Sequence, residues 1–180
     1  MRGFDSPLRL QYMKVTLHMA VSVDGYVAKA NGDSDWVSQL DEDLFITRAR
    51  EAGCIVVGKK TFEQYRGTIY PVEKVTNIVL ARQPGSSTEN NILFTDSAQG
   101  ALALAREKGY ENVLVAGGGK VSGFFLTEGL LDEILLTVHP LALGTGIKLF
   151  EGVDTEAKME LLDSEQMEDG LVQLHYKVLK

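Results

Sequence analysis

Val115-Ala116-Gly117-Gly118-Gly119-Lys120-Val121-Ser122-Gly123 is the stretch on which the fold turns. Asn112 to Ala116 reads as a buried strand, and Val121 to Glu128 as a helix ended by Gly129. Between them lie three consecutive glycines. Glycine enters φ > 0 freely and lets a ligand come close to the backbone amides. The free N–H groups at the start of the following helix attract a phosphate or pyrophosphate. The segment is not the G-x-G-x-x-G dinucleotide fingerprint, because Ser122 stands at the third glycine position. It is not a P-loop either, because no Gly-Lys-Ser/Thr follows at the right spacing. A tight turn with close helix packing needs fewer than three glycines, so phosphate cradling is the preferred reading.

The elements on either side alternate. Residues 13–23 place Val15, Leu17, Met19, Val21 and Val23 on one face, as a strand does, and Asp24-Gly25 then signals a turn. Ser38 with Asp41 forms a candidate capping box, and Leu44, Ile46 and Ala49 continue a helix to Ala52. Ile55 to Val57 is a short buried strand, and Gly58 to Arg66 turns into a short helix. Thr76–Ala81 and Asn91–Thr95 are strands separated by a polar loop. An Ala-rich helix runs from Ser97 to Gly109, and Glu133–His139 is a strand halted by Pro140. Lys158–Ser164 and Leu171–Leu179 resemble a terminal hairpin. Strands alternating with helices and then pairing directly predict an α/β sandwich, its sheet largely parallel with an antiparallel C-terminal edge. In such sheets ligands bind beyond the carboxyl ends of the strands.

Composition bounds the possibilities. A chain of 180 residues, 44% hydrophobic and 24% charged, suits one globular domain. Residues 1–12 read as a loose extension and 13–180 as that domain. A net charge of −7 argues against a general nucleic-acid or anionic-membrane binder. Cys54 is the only cysteine, which excludes an internal disulfide and points to a reducing cytoplasm. It sits in the apolar run Cys54-Ile55-Val56-Val57 and reads as a buried structural thiol. No run is long and apolar enough to span a membrane, and the start lacks the core of a signal peptide. The three histidines, His18, His139 and His175, show no ligand spacing, so no metal site is expected.

In a chain this acidic, the few cations at strand ends are informative. Gly58-Lys59-Lys60-Thr61 follows the strand 54–57 and combines a free backbone, two positive charges and a hydroxyl. It suits a second phosphate such as the 2′-phosphate of NADP, although a solvated lysine pair with Thr61 as a helix cap is the plainer alternative. Arg82 follows the strand 76–81 and Lys120 follows the three glycines. Trp36, the only tryptophan, forms either a pocket wall or a plug in the core.

These loops, in this order, resemble the dihydrofolate reductase fold family. Val57-Gly58-Lys59-Lys60-Thr61-Phe62-Glu63 resembles its Gly-Arg-Lys-Thr cofactor loop, and Ile78-Val79-Leu80-Ala81-Arg82 its next strand and cation. Ala116-Gly117-Gly118-Gly119-Lys120-Val121 with Phe124-Phe125-Leu126 resembles its Gly-Gly loop and helix. Met19-Ala20-Val21-Ser22-Val23-Asp24-Gly25, Asp35-Trp36-Val37-Ser38, Gly129-Leu130-Leu131-Asp132-Glu133, and Pro140-Leu141 with Leu143-Gly144-Thr145-Gly146 are similar to the reductase domain of the bacterial riboflavin-biosynthesis deaminase–reductase.

The resemblance implies a three-layer α/β/α sandwich and an NADPH-dependent reductase acting on a pteridine- or pyrimidine-like heterocycle. It implies that Gly58, Lys59, Lys60, Thr61, Arg82, Gly117, Gly118, Gly119, Lys120 and Val121 meet the cofactor phosphates, with Ala20 and Trp36 beside the nicotinamide. Ser22, Asp24 and an arginine of the first helix, Arg48 or Arg50, would face the substrate. Reduction also needs a proton, for which Asp24, Asp41 and Asp43 are candidates. Asp41, five residues after Trp36, roughly fits the acidic residue of dihydrofolate reductases, with Asp43 as the alternative. Riboflavin-pathway reductases carry a glutamate just before the Gly-Gly, where this chain has Ala116. That departure supports the second reading, an NADPH-binding module of the same fold without turnover. A Rossmann dehydrogenase is disfavoured by Lys59-Lys60, where an acidic residue would take the ribose. Stand-alone domains of this kind often pair, so a homodimer is expected.

Overall fold

The computed structural model describes residues 12–89 and 91–180. The extension expected over residues 1–12 therefore lies outside the described residues, Tyr12 excepted. Among the described residues, ten strands and four α-helices follow one another: β1 (Lys14–Ser22), β2 (Tyr26–Ala28), α1 (Gln39–Ala52), β3 (Cys54–Gly58), α2 (Lys59–Gln64), β4 (Thr76–Leu80), β5 (Ile92–Thr95), α3 (Ala98–Glu107), β6 (Asn112–Val115), α4 (Gly119–Thr127), β7 (Glu133–His139), β8 (Ile147–Lys148), β9 (Met159–Gln166) and β10 (Val172–Val178).

Eight strands form one sheet in the order β5-β4-β3-β6-β1-β7-β10-β9. The first six are parallel; β10 runs antiparallel to β7, and β9 antiparallel to β10, as the terminal hairpin predicts. The central strands are apolar throughout because helices cover both faces. In β3, Cys54 and Val56 pack into the core beneath α3 and α4, with Ala101, Ala105 and Phe125. Ile55 and Val57 pack into the opposite core, with Ala49 of α1 and Phe62 of α2. This period-2 alternation produces the three layers. Burial pushes the Cys54 thiol up to about 12, so it carries no thiolate at neutral pH.

Caps set the helix starts. Ser38 accepts from the Asp41 amide and Ser97 from the Gly100 amide. The Asp41 carboxyl does not reach back to complete a capping box; it is engaged elsewhere. The sequence reading missed β2 and β8, which pair as a separate two-stranded sheet. At two and three residues they are too short to show a period. Among the described residues, no helix is long and apolar enough to cross a membrane.

Candidate active site

A cavity of about 450 Å³ opens beside the carboxyl ends of the central strands, within the range of small-molecule sites. At one end its wall includes Lys60, Thr61, Gly118 and Gly119. At the other it includes His18, Asp41, Phe45, Ile69 and Tyr70, with Ala20 and Ala116 also in the wall.

The three glycines have three separate roles. Gly117 sits at φ +78°, where side chains are strained, and a Cβ there would overlap the Met19 sulfur. At Gly119, the first residue of α4, a Cβ would overlap the Lys148 carbonyl oxygen, so the helix packs directly on β8. Close packing thus explains Gly119, as it explains Gly123 against the Glu151 carbonyl oxygen. Gly118 is different. Its backbone, φ −69° and ψ −161°, is open to any residue, and it caps α4 without a side-chain hydrogen bond. A Cβ added there would meet only Thr61 Oγ1, at 3.2 Å. The uncapped start of α4 therefore faces a small cradle floored by Gly118 and walled by Thr61. The Gly117–Gly118 peptide bond is cis.

The remaining cations expected around a cofactor are spread out. Lys60 reaches the cavity wall, close to Gly32. Lys59 is exposed and pairs with Glu63 across one helical turn, at 3.7 Å. Arg82 is exposed beyond β4. Gly58 and Leu80 are register partners, so Lys59 and Arg82 leave neighbouring strand ends. Lys120 lies outside the wall, 4.0 Å from Glu151. Val121 is in the core, packed on Gly58.

Of the three candidate acids, only Asp41 reaches the cavity. It is 3% exposed. Its Oδ1 accepts from Thr137 Oγ1 at 2.6 Å and lies 3.4 Å from His18 Nε2. Burial by itself raises the Asp41 carboxyl. The His18 hydrogen bond and charge, with the Thr137 hydroxyl, outweigh it and hold the group below its ordinary value of 3.8. Asp43 is exposed, accepts from Gln39 Nε2, and is outside the wall.

Asp24 also lies outside the wall, because its oxygens are occupied. Oδ1 accepts from Ser22 Oγ at 2.7 Å and from the Leu143 amide at 3.0 Å; Oδ2 accepts from the Gly144 amide at 2.7 Å. The Ser22 hydroxyl and then the Gly144 and Leu143 amides pull the carboxyl down to about 2. Ser22 is likewise consumed by this turn, since it also accepts from the Tyr26 amide. Asp24 is thus a clamp between the β1 turn and the 141–146 loop. A depressed folded-state pKa means the clamp is intact at neutral pH and is lost as pH falls through about 2. Asp24→Asn should speed hydrogen exchange at the Leu143 and Gly144 amides while leaving cofactor affinity unchanged.

The arginine alternatives separate too. Arg50 is exposed. Arg48 is half-buried and donates through Nη2 to Gln173 Oε1 at 2.6 Å; Gln173 Nε2 lies 3.4 Å from Thr137 Oγ1. Arg48 therefore supports Asp41 through two intermediates rather than lining the cavity. Trp36 stands behind the wall, edge-on to His139 at 5.1 Å, while its neighbours Asp35 and Val37 line it. The sequence reading missed His18. Its signal was a polar residue at an inward position of a strand that proves central. Among the described residues, no group of three or more His, Cys, Asp or Glu is placed to hold a metal ion.

The chain is similar to known proteins. The chain is 31% identical over 170 residues to the uncharacterized protein YwjB of Bacillus subtilis, covering 91% of this chain and 97% of that one. It is 26% identical over 159 residues to the riboflavin biosynthesis protein RibD of Corynebacterium ammoniagenes, spanning 79% of this chain but about half (47%) of that protein. The crystal structure of a putative riboflavin biosynthesis protein from Shewanella sp. PV-4 superimposes with a TM-score of 0.78 at 23% identity, over 93% of this chain and all of that one; at that identity the likeness concerns the fold. The profile of the RibD C-terminal domain matches residues 13–173, and the chain belongs to that family.

Proposed function

We propose that the protein is an NADPH-dependent reductase that passes a hydride to a C=N or C=O carbon of a pteridine- or pyrimidine-like heterocycle. One observation carries this reading. A single cavity joins an uncapped, glycine-floored helix start at one end to a buried carboxylate at the other.

The residues present fit a dinucleotide. Gly118 leaves the space that any Cβ would fill, Thr61 Oγ1 adjoins that space, and Lys60 is part of the same cavity wall. The N–H groups of the first turn of α4 and the Lys60 ammonium would hold the pyrophosphate. Lys59 and Arg82, exposed on adjacent strand ends, would take the adenosine phosphate. Ala20, in the cavity wall on β1, leaves room for a flat ring. When bound, the reduced nicotinamide supplies the hydride. Phe45, Ile69 and Tyr70 offer apolar surface to a planar acceptor, and Asp41, ionised at neutral pH, accepts hydrogen bonds from ring N–H groups. Relatives whose names include riboflavin biosynthesis support the pyrimidine class.

The test is titration with NADPH, followed through Trp36 fluorescence and then by loss of NADPH absorbance. Saturation in the micromolar range is expected, with oxidation on adding dihydrofolate or 5-amino-6-(5-phosphoribosylamino)uracil. No binding at those concentrations overturns the reading. Tight binding without oxidation by any acceptor favours the non-catalytic module.

A further inference from the structure

We infer that the acceptor end of the cavity selects a heterocycle that presents N–H donors and carries no phosphate, an inference that rests on the reductase reading of this site. Three rings mark that end. His18 meets Phe45 edge-on at 5.8 Å, Phe45 meets Tyr70 edge-on at 6.3 Å, and all three belong to the cavity wall. Asp41 and Glu42 join them in the wall from the first turn of α1. Thr137 and His18 both engage Asp41 Oδ1, so Oδ2 has no partner among the described residues. The Glu42 carboxylate is half-buried and has neither a hydrogen bond nor an ion pair to a described residue. Asp35, the third carboxylate of the wall, is answered by Lys29.

A phosphate needs the opposite surroundings. Proteins hold it with Arg, with Lys, or with the free N–H groups of a helix start. Among the described residues, no arginine is in the cavity wall. Arg48 is engaged by Gln173 behind Asp41, and Arg50 is exposed. Arg66 pairs with Glu89 and lies over the Phe62 ring. The start of α1 is closed as well, because Ser38 caps it and its first turn carries Asp41 and Glu42. The wall holds one ammonium, Lys60. Lys60 precedes the Thr61 that adjoins the Gly118 cradle, so its place is with the cofactor pyrophosphate.

The balance of charge decides the ligand. A phosphomonoester brings about two negative charges at neutral pH, and each nearby carboxylate should cost it about tenfold in affinity. The apolar surface of Phe45 and Ile69 in the same wall weakens the screening of that repulsion. Ring N–H groups gain from the same carboxylates, because they donate charge-assisted hydrogen bonds to Asp41 Oδ2 and Glu42. Tyr70 adds a neutral contact. It is 5% exposed, and its hydroxyl makes no hydrogen bond to a described residue. Burial first, then the neighbouring Tyr65 and Glu42, push that hydroxyl above its ordinary value of 10.0. It stays protonated, able to donate to a ring carbonyl or accept from a ring N–H. The acceptor that fits is flat, rich in N–H groups, and neutral or cationic: an aminopyrimidine or pteridine whose substituent is not phosphorylated.

A matched pair of compounds tests this: 5-amino-6-(5-phosphoribosylamino)uracil and its dephosphorylated form, 5-amino-6-ribosylaminouracil, which differ only in the phosphate. The third probe is 7,8-dihydrobiopterin, a pteridine with neither phosphate nor carboxylate. Each is titrated calorimetrically into the full chain saturated with NADP+, and each is then offered as acceptor with NADPH. The dephosphorylated pyrimidine should bind about 100-fold more tightly than its phosphorylated partner, about tenfold for each of Asp41 and Glu42. The same order should hold in kcat/KM. Glu42→Gln should narrow the preference to about tenfold by strengthening the phosphorylated compound. A thermal melt of E42Q should stay within a few degrees of wild type, since the carboxylate has no protein partner to lose. Equal affinity for the pair, a preference for the phosphate, or a wild-type ratio in E42Q overturns the inference and leaves the reductase reading standing. Selective binding with no oxidation of NADPH by any of the three supports the inference and counts against turnover. Failure of all three to bind the NADP+ complex overturns the inference, and failure of the dinucleotide itself to bind overturns both.

Discussion

Gly118→Asp is expected to abolish NADPH binding while the protein stays folded. The two halves of that expectation have separate causes. Gly118 has φ −69° and ψ −161°, a conformation any residue adopts, and an added Cβ meets only Thr61 Oγ1 at 3.2 Å. The hydroxyl need give only a few tenths of an ångström, so the melting temperature should fall by a few degrees at most. The new carboxylate, however, stands where the pyrophosphate would rest. Two like charges at about 4 Å repel by roughly 4 kcal/mol near a protein surface, a loss of about a thousandfold in affinity. Gly118→Ala separates shape from charge and should cost far less. Calorimetric titration of both variants with NADPH provides the check; wild-type affinity in Gly118→Asp would remove the phosphate cradle from the site.

Asp41→Asn should be the most damaging conservative change at the acceptor end, lowering kcat by about 100- to 1,000-fold. The amide keeps the shape but loses the anion that faces His18 Nε2 and Thr137 Oγ1. One half of the amide also presents N–H donors to groups that are themselves donors. The pH dependence has a definite sign. Asp41 is held below 3.8 in the folded protein. Its contribution to stability is therefore present above the unfolded value and is lost as pH falls through the lower folded value. Turnover that needs the anion should persist through mildly acidic pH and fail only at the acid extreme, and Asp41→Asn should remove that acid limb. Steady-state kinetics across pH, with thermal melts of both proteins, measure the two effects separately. Full activity in Asp41→Asn would take the carboxylate out of the mechanism.

Much of the architecture was legible in local signals. The strand–glycine–helix passage at 112–129, the Ser97 cap, the halt at Pro140 and the closing hairpin each depend on residues close together in the chain. Ranking Asp24, Asp41 and Asp43 was harder, although a clue was present. Asp41, Phe45 and Ala49 recur every four residues, which places Asp41 on the inward stripe of α1 with the cavity-lining Phe45 and the buried Ala49. Asp43 is off that stripe. Asp24 resembles a site residue because it follows the first strand, yet three donors in its own turn and in the 141–146 loop claim its oxygens. The triple glycine was legible as a site but not in its division of labour. Whether a glycine is small for a ligand, as at Gly118, or for a neighbouring carbonyl, as at Gly119, depends on what packs against it.

From the sequence by itself came the order of strands and helices other than β2 and β8, the layered α/β class and the loops that carry glycines and lysines, because turns, caps and periodicity are short-range effects. The tertiary structure alone decided the acceptor end of the cavity. His18, Asp41 and Thr137 stand 23 and 96 positions apart along the chain and meet because β1 pairs with β7 while α1 lies across that face of the sheet. Strand order is set by how all the apolar faces are buried together, and no local stretch of sequence carries that information.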